Sequence, residues 1–232
     1  MKINKIIENK RSVRDYKDKK VEKELIQDLF GDIKSKKKLF DDISIDFYFI
    51  ENGDIAFEKL DGVIGYYGKM IKAPHYIYIL SETKEGYLEN AGYIGEKLVL
   101  KAAELGLGTC WIEINNNEEK AKEILDIKED RELIGLIAIG YPKKEHNVLG
   151  KYDSIKKGSI SPLTDTGYPN VDMEYTTEPV SSRLSVEEIV YLKEWGNKAT
   201  IDDLEVRGMT EAFYYMRLAP SWGNRQPWKF II

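Results

Sequence analysis

Lys10, Ser12 and Arg14 place two cations and a hydroxyl at alternate positions, and Arg11 adds a third cation between them. In extended backbone, successive side chains point to opposite faces, so residues 10, 12 and 14 would share one. That face suits a phosphate, which carries about −1.5 to −2 charge and offers several acceptor oxygens. Each charge-assisted hydrogen bond to such an anion contributes on the order of 1.5–3 kcal/mol. A solvated run of charge is the plain alternative.

Two further segments have chemical content. Ala219-Pro220-Ser221-Trp222-Gly223-Asn224-Arg225-Gln226-Pro227-Trp228 combines residues that impose an irregular backbone with hydroxyl and amide side chains and two tryptophans. A loop of this type can hydrogen-bond the edge of a planar polar ring and stack an aromatic beside it, or it can be a helix-to-strand turn anchored by Trp. Gly106-Leu107-Gly108-Thr109-Cys110-Trp111-Ile112-Glu113 has small residues that let backbone approach something flat. It is not a dinucleotide fingerprint, because it follows a helix where that motif follows a strand. The alternative is a tight helix-to-strand connection with Cys110 and Trp111 buried.

Rival chemistries have little to work with. The 232 residues hold two histidines, His75 and His146, and one cysteine, Cys110. No HExxH, Cys/His cluster or GxSxG elbow occurs, so a metalloenzyme or hydrolase reading lacks residues. Both histidines are expected to be structural or surface groups. The formal charge of −5 argues against nucleic acid as a partner. One cysteine permits no intrachain disulfide, which fits a reducing compartment. The N-terminus lacks the apolar core of a signal peptide, and no run approaches the roughly 20 apolar residues of a membrane span. A cytoplasmic protein with no membrane partner is expected.

The three segments together resemble the nitroreductase family of FMN enzymes. Lys10-Arg11-Ser12-Val13-Arg14 is similar to its N-terminal Arg-Arg-Ser-x-Arg motif. Ala219-Pro220-Ser221-x-x-Asn224-x-Gln226-Pro227-Trp228 resembles its Pro-Ser-x-x-Asn-x-Gln-Pro-Trp loop, and Gly106 to Trp111 resembles its segment beside the flavin. The resemblance implies that Lys10, Arg11, Ser12 and Arg14 hold the FMN phosphate and an edge of the ring. It places Cys110, Trp111 and the backbone of Ile112 and Glu113 beside the flavin, the last two near N5. Pro220, Ser221, Trp222 and Asn224 would contact the flavin from its other side, and Lys156 and Lys157 would complete the phosphate site. The implied reaction is two-step transfer of electrons from NADH or NADPH through FMN to a nitroaromatic, quinone or similar small acceptor. A flavin-binding or sensing protein without turnover is the competing reading.

Two departures from the family pattern stand out. Lys10 replaces an arginine and cannot form a bidentate fork. The Gln-Pro-Trp loop lies some 200 residues after the basic motif, where an ordinary nitroreductase has it soon after. The order resembles a branch with fused halves, in which one chain is its own pseudo-dimer carrying one flavin. Halves at residues 1–164 and 165–232 are expected, in a monomer with an internal pseudo-two-fold or a weak homo-oligomer. The second half is short, and the chain stops inside an apolar run, which suggests further C-terminal sequence.

Positioning these segments requires alternating helices and strands. Ile3, Ile6 and Ile7 sit at helical spacing over 2–9, and Leu25, Ile26, Leu29 and Ile33 do so over 21–34. A long helix is expected at 86–105, ended by Gly106, and a shorter one at 117–125. Branched and aromatic content predicts strands at 43–50, 76–80, 109–114 and 133–140. Residues 142–184 show no strong period. Ser185 and Glu188 form a capping box opening a helix through Tyr191 and Leu192, another helix runs to about Leu218, and 228–232 begins a strand. Alternating helices and strands leave the class as α/β or α+β; the resemblance implies α+β, a three-layer α/β/α nitroreductase-like fold with a central, mainly antiparallel sheet in two pseudo-symmetric halves.

Overall fold

A computed structural model describes residues 2–114, 116–143 and 183–232. The described residues fall into two compact units, 10–143 in one and 2–9 with 183–232 in the other. The boundary expected between 164 and 165 lies outside the described residues.

The larger unit is built on four strands, β1 (Ile45–Ile50), β2 (His75–Ser81), β3 (Gly108–Ile112) and β4 (Glu132–Gly140). Their order is β1-β2-β4-β3, and every neighbouring pair is antiparallel. Alternation along each strand divides the apolar side chains between two faces. Tyr76 and Leu80 of β2 join Leu136 and Ala138 of β4 on one face. Ile77 and Ile79 join Ile137 and Ile139 on the other. Helices α2 (Lys23–Ser35) and α4 (Tyr87–Glu104) cover the second face with Leu29, Ile33, Ile94 and Leu98. Helices α3 (Gly53–Leu60) and α5 (Glu118–Ile124) cover the first with Ala56, Leu60 and Ala121. A sheet covered on both sides explains why Leu133 to Ile139 is continuously apolar apart from Gly135, where a half-solvated strand would alternate.

Most elements of this unit lie within a few residues of their sequence expectation. Helix α3 had not been expected. Its signal is the N-cap Asn52, whose Oδ1 accepts from the Ile55 N–H at 3.3 Å, followed by Ala56 and Leu60 at helical spacing.

The smaller unit contains α1 (Ile3–Asn9), α6 (Val186–Ile189), β5 (Val190–Tyr191), α7 (Ile201–Val206), α8 (Thr210–Met216) and β6 (Phe230–Ile231). Helix α1 joins α8 through Asn4 Nδ2 to Glu211 Oε1 at 3.2 Å and Tyr215 Oη to Glu8 Oε1 at 3.1 Å. One expectation fails here. The helix opened by Ser185 lasts one turn, because Val190 and Tyr191 leave it to pair in parallel with Phe230 and Ile231. The helix expected to run to about Leu218 is α8, separated from α7 by Gly208, whose φ of +65° an α-helix cannot contain. Among the described residues, no helix is long and apolar enough to cross a membrane.

Candidate functional site

The basic motif is held against the outer side of β3 and the end of β4. The Val13 N–H donates to Thr109 O at 2.9 Å, and Ser12 bridges Thr109 in parallel register. The buried Tyr16 hydroxyl lies 2.7 Å from Val13 O and 3.3 Å from Ala138 O. Burial raises the Tyr16 pKa well above its ordinary value, so this hydroxyl stays a donor. Farther on, the Lys17 N–H donates to Tyr141 O at 2.8 Å. With Val13 and Tyr16 inside the core, the residues between and before them are turned away from it.

This arrangement brings Lys10, Ser12 and Arg14 to Cys110. Burial pushes the Cys110 thiol up from its ordinary pKa, and the Arg14 charge, the Lys10 charge and a hydrogen bond with Ser12 act in the opposite direction. The net effect keeps the sulfur protonated, which makes Cys110 a poor nucleophile. Its Sγ sits 3.6 Å from Trp111 O.

The three partners differ in what they can offer a ligand. Lys10 Nζ is 3.2 Å from Glu96 Oε1 of α4, so its charge is already largely neutralised. Ser12 is exposed and Arg14 half-buried. Arg14 Nη1 reaches Ser12 O at 3.3 Å, leaving the other guanidinium donors directed elsewhere. Arg11 Nη1 turns back to Lys10 O at 2.8 Å. The donor set therefore suits a phosphate mainly through Ser12 and Arg14, with Lys10 shared between Glu96 and any anion.

A Cβ on Gly108 would stand 2.6 Å from Val13 Cγ2, so this glycine makes room for the Val13 side chain. Gly106 has φ of +77° at the end of α4 and open space around its Cα. The Trp111 indole packs against Gly95 of α4, where an added Cβ would meet Cη2 at 2.5 Å. Ile112 is buried in the core, and Glu113 O accepts from the Gly65 N–H at 2.8 Å.

The Pro220–Trp228 loop lies in the smaller unit and is braced from within. Gln226 is 6% exposed. Its N–H donates to Ser221 Oγ at 2.9 Å, its Oε1 accepts from the Leu184 N–H at 2.8 Å, and its Nε2 reaches Asn224 O at 3.3 Å. Arg183 Nη1 bonds Ala219 O at 2.7 Å and Asn224 Oδ1 at 3.1 Å. Gly223, Asn224 and Gln226 all have positive φ. Trp222 is exposed, with the Arg225 guanidinium 4.4 Å from its ring centroid. Pro220 sits half-buried at the start of the loop. Lys156 and Lys157 lie outside the described residues. Glu96, Arg183 and Gln226 are the contributors that sequence reasoning passed over. Gln226 stood inside the quoted motif, whereas nothing in the sequence marks Glu96 or Arg183.

A model of the family described as "Putative TM nitroreductase" matches residues 2–232. The chain belongs to that family. The fold of an FMN-dependent nitroreductase from Clostridium difficile R20291 is similar at TM-score 0.51 and 24% identity, covering 60% of this chain and 87% of the other. A "Putative NADH Oxidase" from Clostridium acetobutylicum is 28% identical at TM-score 0.53, covering 60% and 88%. A "putative nitroreductase" from Thermotoga maritima MSB8 aligns with all of this chain and 72% of its own length, at 21% identity and TM-score 0.54. No curated protein matches the chain. The family has the mixed helix and antiparallel-sheet nitroreductase fold, and the α/β/α layering of residues 10–143 is its instance here.

Proposed function

We propose that the protein is an FMN-dependent oxidoreductase that passes electrons from NADH or NADPH to a nitroaromatic, quinone or similar small acceptor. The observation that carries this reading is the convergence of Lys10, Ser12 and Arg14 at Cys110, in the middle of β3, in a member of a nitroreductase family. An FMN-dependent nitroreductase and an NADH oxidase among the similar structures support the choice of cofactor and reductant. Flavin would supply the two-electron redox chemistry, accepting hydride from the nicotinamide and releasing the electrons to the second substrate.

The chain's own residues then have positioning roles. Ser12 and Arg14 bind the phosphate, with Lys10 assisting and Glu96 limiting its net charge. Glu113 and Ile112 set the strand edge beside the ring. Arg11, Cys110 and Trp111 frame this segment, Cys110 as a neutral group and Trp111 through backbone. Pro220, Ser221, Trp222 and Asn224 are a second set of flavin contacts, and Lys156 and Lys157 a further phosphate contact. The reaction is placed in the cytoplasm, where the single cysteine stays reduced. A monomer with one flavin per chain is the proposed form.

The test is flavin absorbance retained per chain after incubation with FMN and desalting, followed by reduction with NADH or NADPH and addition of a nitroaromatic or quinone. One flavin per chain with rapid reoxidation supports the enzyme. Retained flavin that no acceptor reoxidises faster than oxygen alone favours a flavin-binding or sensing protein. No retained flavin removes the proposal.

A further inference from the structure

Lys10 enters the phosphate-type cluster already paired, and its partner comes from another element. Lys10 Nζ stands 3.2 Å from Glu96 Oε1, with the two side chains only 11% and 27% exposed. Exposed pairs such as Lys19–Glu22 contribute little to stability because water screens them. An enclosed pair has the opposite difficulty: both partners lose hydration, and this offsets much of their attraction. Stability alone is therefore a weak reason for a carboxylate at position 96.

Local packing explains how that carboxylate reaches the cluster. Glu96 follows Gly95 in α4, and a Cβ on Gly95 would stand 2.5 Å from Trp111 Cη2. The absent side chain lets the helix lie close to β3. Glu96 is carried with it to the strand where Lys10 and Arg14 both act on Cys110. The neighbouring cations of α4 are directed elsewhere. Lys97 Nζ donates to Lys37 O at 2.9 Å and lies 4.1 Å from the Tyr93 ring centroid. Lys101 Nζ is 3.4 Å from Asp28 Oδ2 and 3.3 Å from Glu104 Oε2. Helix α4 thus brings a negative charge to a cluster suited to an anion.

The pair is compatible with a bound phosphate. An ammonium has three donors, so Nζ can keep Glu96 Oε1 and still offer a hydrogen to a phosphate oxygen. The carboxylate then stays one ammonium away from the phosphate and repels it. With Glu96 present, Lys10, Arg14 and Glu96 together carry one net positive charge; a neutral side chain at 96 would leave two. Arg11, whose Nη1 turns to Lys10 O at 2.8 Å, adds the same charge in either case.

We infer that Glu96 is a positioning residue that sets ligand specificity through Lys10: by holding the ammonium in an ion pair, it limits the preference for a flavin with a phosphate over one without. This rests on the flavin reading above. The carboxylate acts through charge without touching the cofactor. Its consequence is an FMN that exchanges more readily than the cations alone would allow.

The test is equilibrium fluorescence titration of FMN, and of riboflavin, which lacks the phosphate, into flavin-free wild type, Glu96→Gln and Glu96→Asp. Gln keeps the shape and an acceptor for Lys10 while removing the charge. The ratio of FMN affinity to riboflavin affinity is expected to rise about three- to tenfold in Glu96→Gln, the order of one charge acting through partly solvated surroundings. Added salt should shrink that difference. Glu96→Asp, with its charge withdrawn by one carbon, should give a ratio between the two, and it decides the matter if Glu96→Gln does not fold. A merely structural role for Glu96 would weaken both flavins together and leave the ratio where it was. A ratio at or below that of wild type overturns the inference while leaving the flavin reading intact. Failure of wild type to bind FMN removes both readings together.

Discussion

Gly108 lacks a side chain where Val13 needs the space: a Cβ there would stand 2.6 Å from Val13 Cγ2 and 2.8 Å from Val13 Cβ. Neither atom is the far end of a flexible side chain, so accommodation means moving the 10–16 segment off β3. Gly108→Ala is expected to destabilise the protein by about 1–3 kcal/mol through overpacking. It should also weaken FMN binding, because Ser12 and Arg14 move with Val13. Thermal melts and flavin titration of the same preparation check both. Weaker folding with unaltered FMN affinity would separate the motif from the cofactor.

Two glycines inside α4 should respond with opposite sign. Gly92 has nothing within 4 Å of an added Cβ, so Gly92→Ala should stabilise the helix by about 0.5–1 kcal/mol. Gly95→Ala gains the same propensity but drives a methyl to 2.5 Å from Trp111 Cη2. Overpacking of about 1–3 kcal/mol outweighs that gain, and the melting temperature should fall. Equal shifts of one sign in the two variants would contradict the placement of the indole.

His75 makes stability depend on pH. It is buried, its Nε2 accepts the Val21 N–H at 3.0 Å, and its Nδ1 lies 2.7 Å from Glu51 O, so the neutral ring carries its proton on Nδ1. Burial is the main cause that lowers its pKa from the ordinary 6.5; the Glu51 carbonyl opposes this, and Lys20 reinforces it. A depressed pKa means that the unfolded chain binds the proton more readily. The stabilising contribution is whole above the unfolded pKa and is lost as pH falls through the folded one. Urea midpoints at about pH 7.5 and about pH 5.5 should diverge more in wild type than in His75→Gln. Identical divergence would assign the acid sensitivity to other groups.

Ser12→Ala combined with Arg14→Ala is expected to weaken FMN binding at least tenfold (about 1.4 kcal/mol or more, within what charge-assisted bonds contribute). Lys10→Ala should cost less, since Glu96 already engages its ammonium at 3.2 Å. Equilibrium fluorescence titration of FMN orders the three proteins. A larger loss from Lys10→Ala would mean that the ion pair opens on binding.

Gln226→Ala removes the acceptor for the Leu184 N–H and leaves that donor unsatisfied, at a cost of about 1–3 kcal/mol. Because the bond from Gln226 Nε2 to Asn224 O is lost with it, the loop should loosen, although the backbone Gln226 N–H still donates to Ser221 Oγ. Hydrogen exchange at Leu184 and Arg225 is the direct measure. Unchanged protection would show that Arg183 alone suffices to hold the loop.

From the sequence alone, the class of fold, the position of nearly every element in residues 10–143 and the family were legible. Those features depend on local pattern: the apolar spacing of α2 and α4, the unbroken run of β4 and three short motifs. Other features depended on partners distant in the chain. Val190 and Tyr191 follow a sound capping box yet become a strand, because Phe230 and Ile231 pair with them. Gly108 reads as a backbone device until Val13 fills the space beside it, and nothing in the sequence marks Gly95 as the seat of the Trp111 indole. The charge that Lys10 can offer is set by Glu96, 86 positions later, and the Gln-Pro-Trp loop is braced by Arg183, which belongs to no motif. Hydrophobic period and capping are written within a few residues, whereas steric exclusion and ion pairing arise only when folding brings separate segments together.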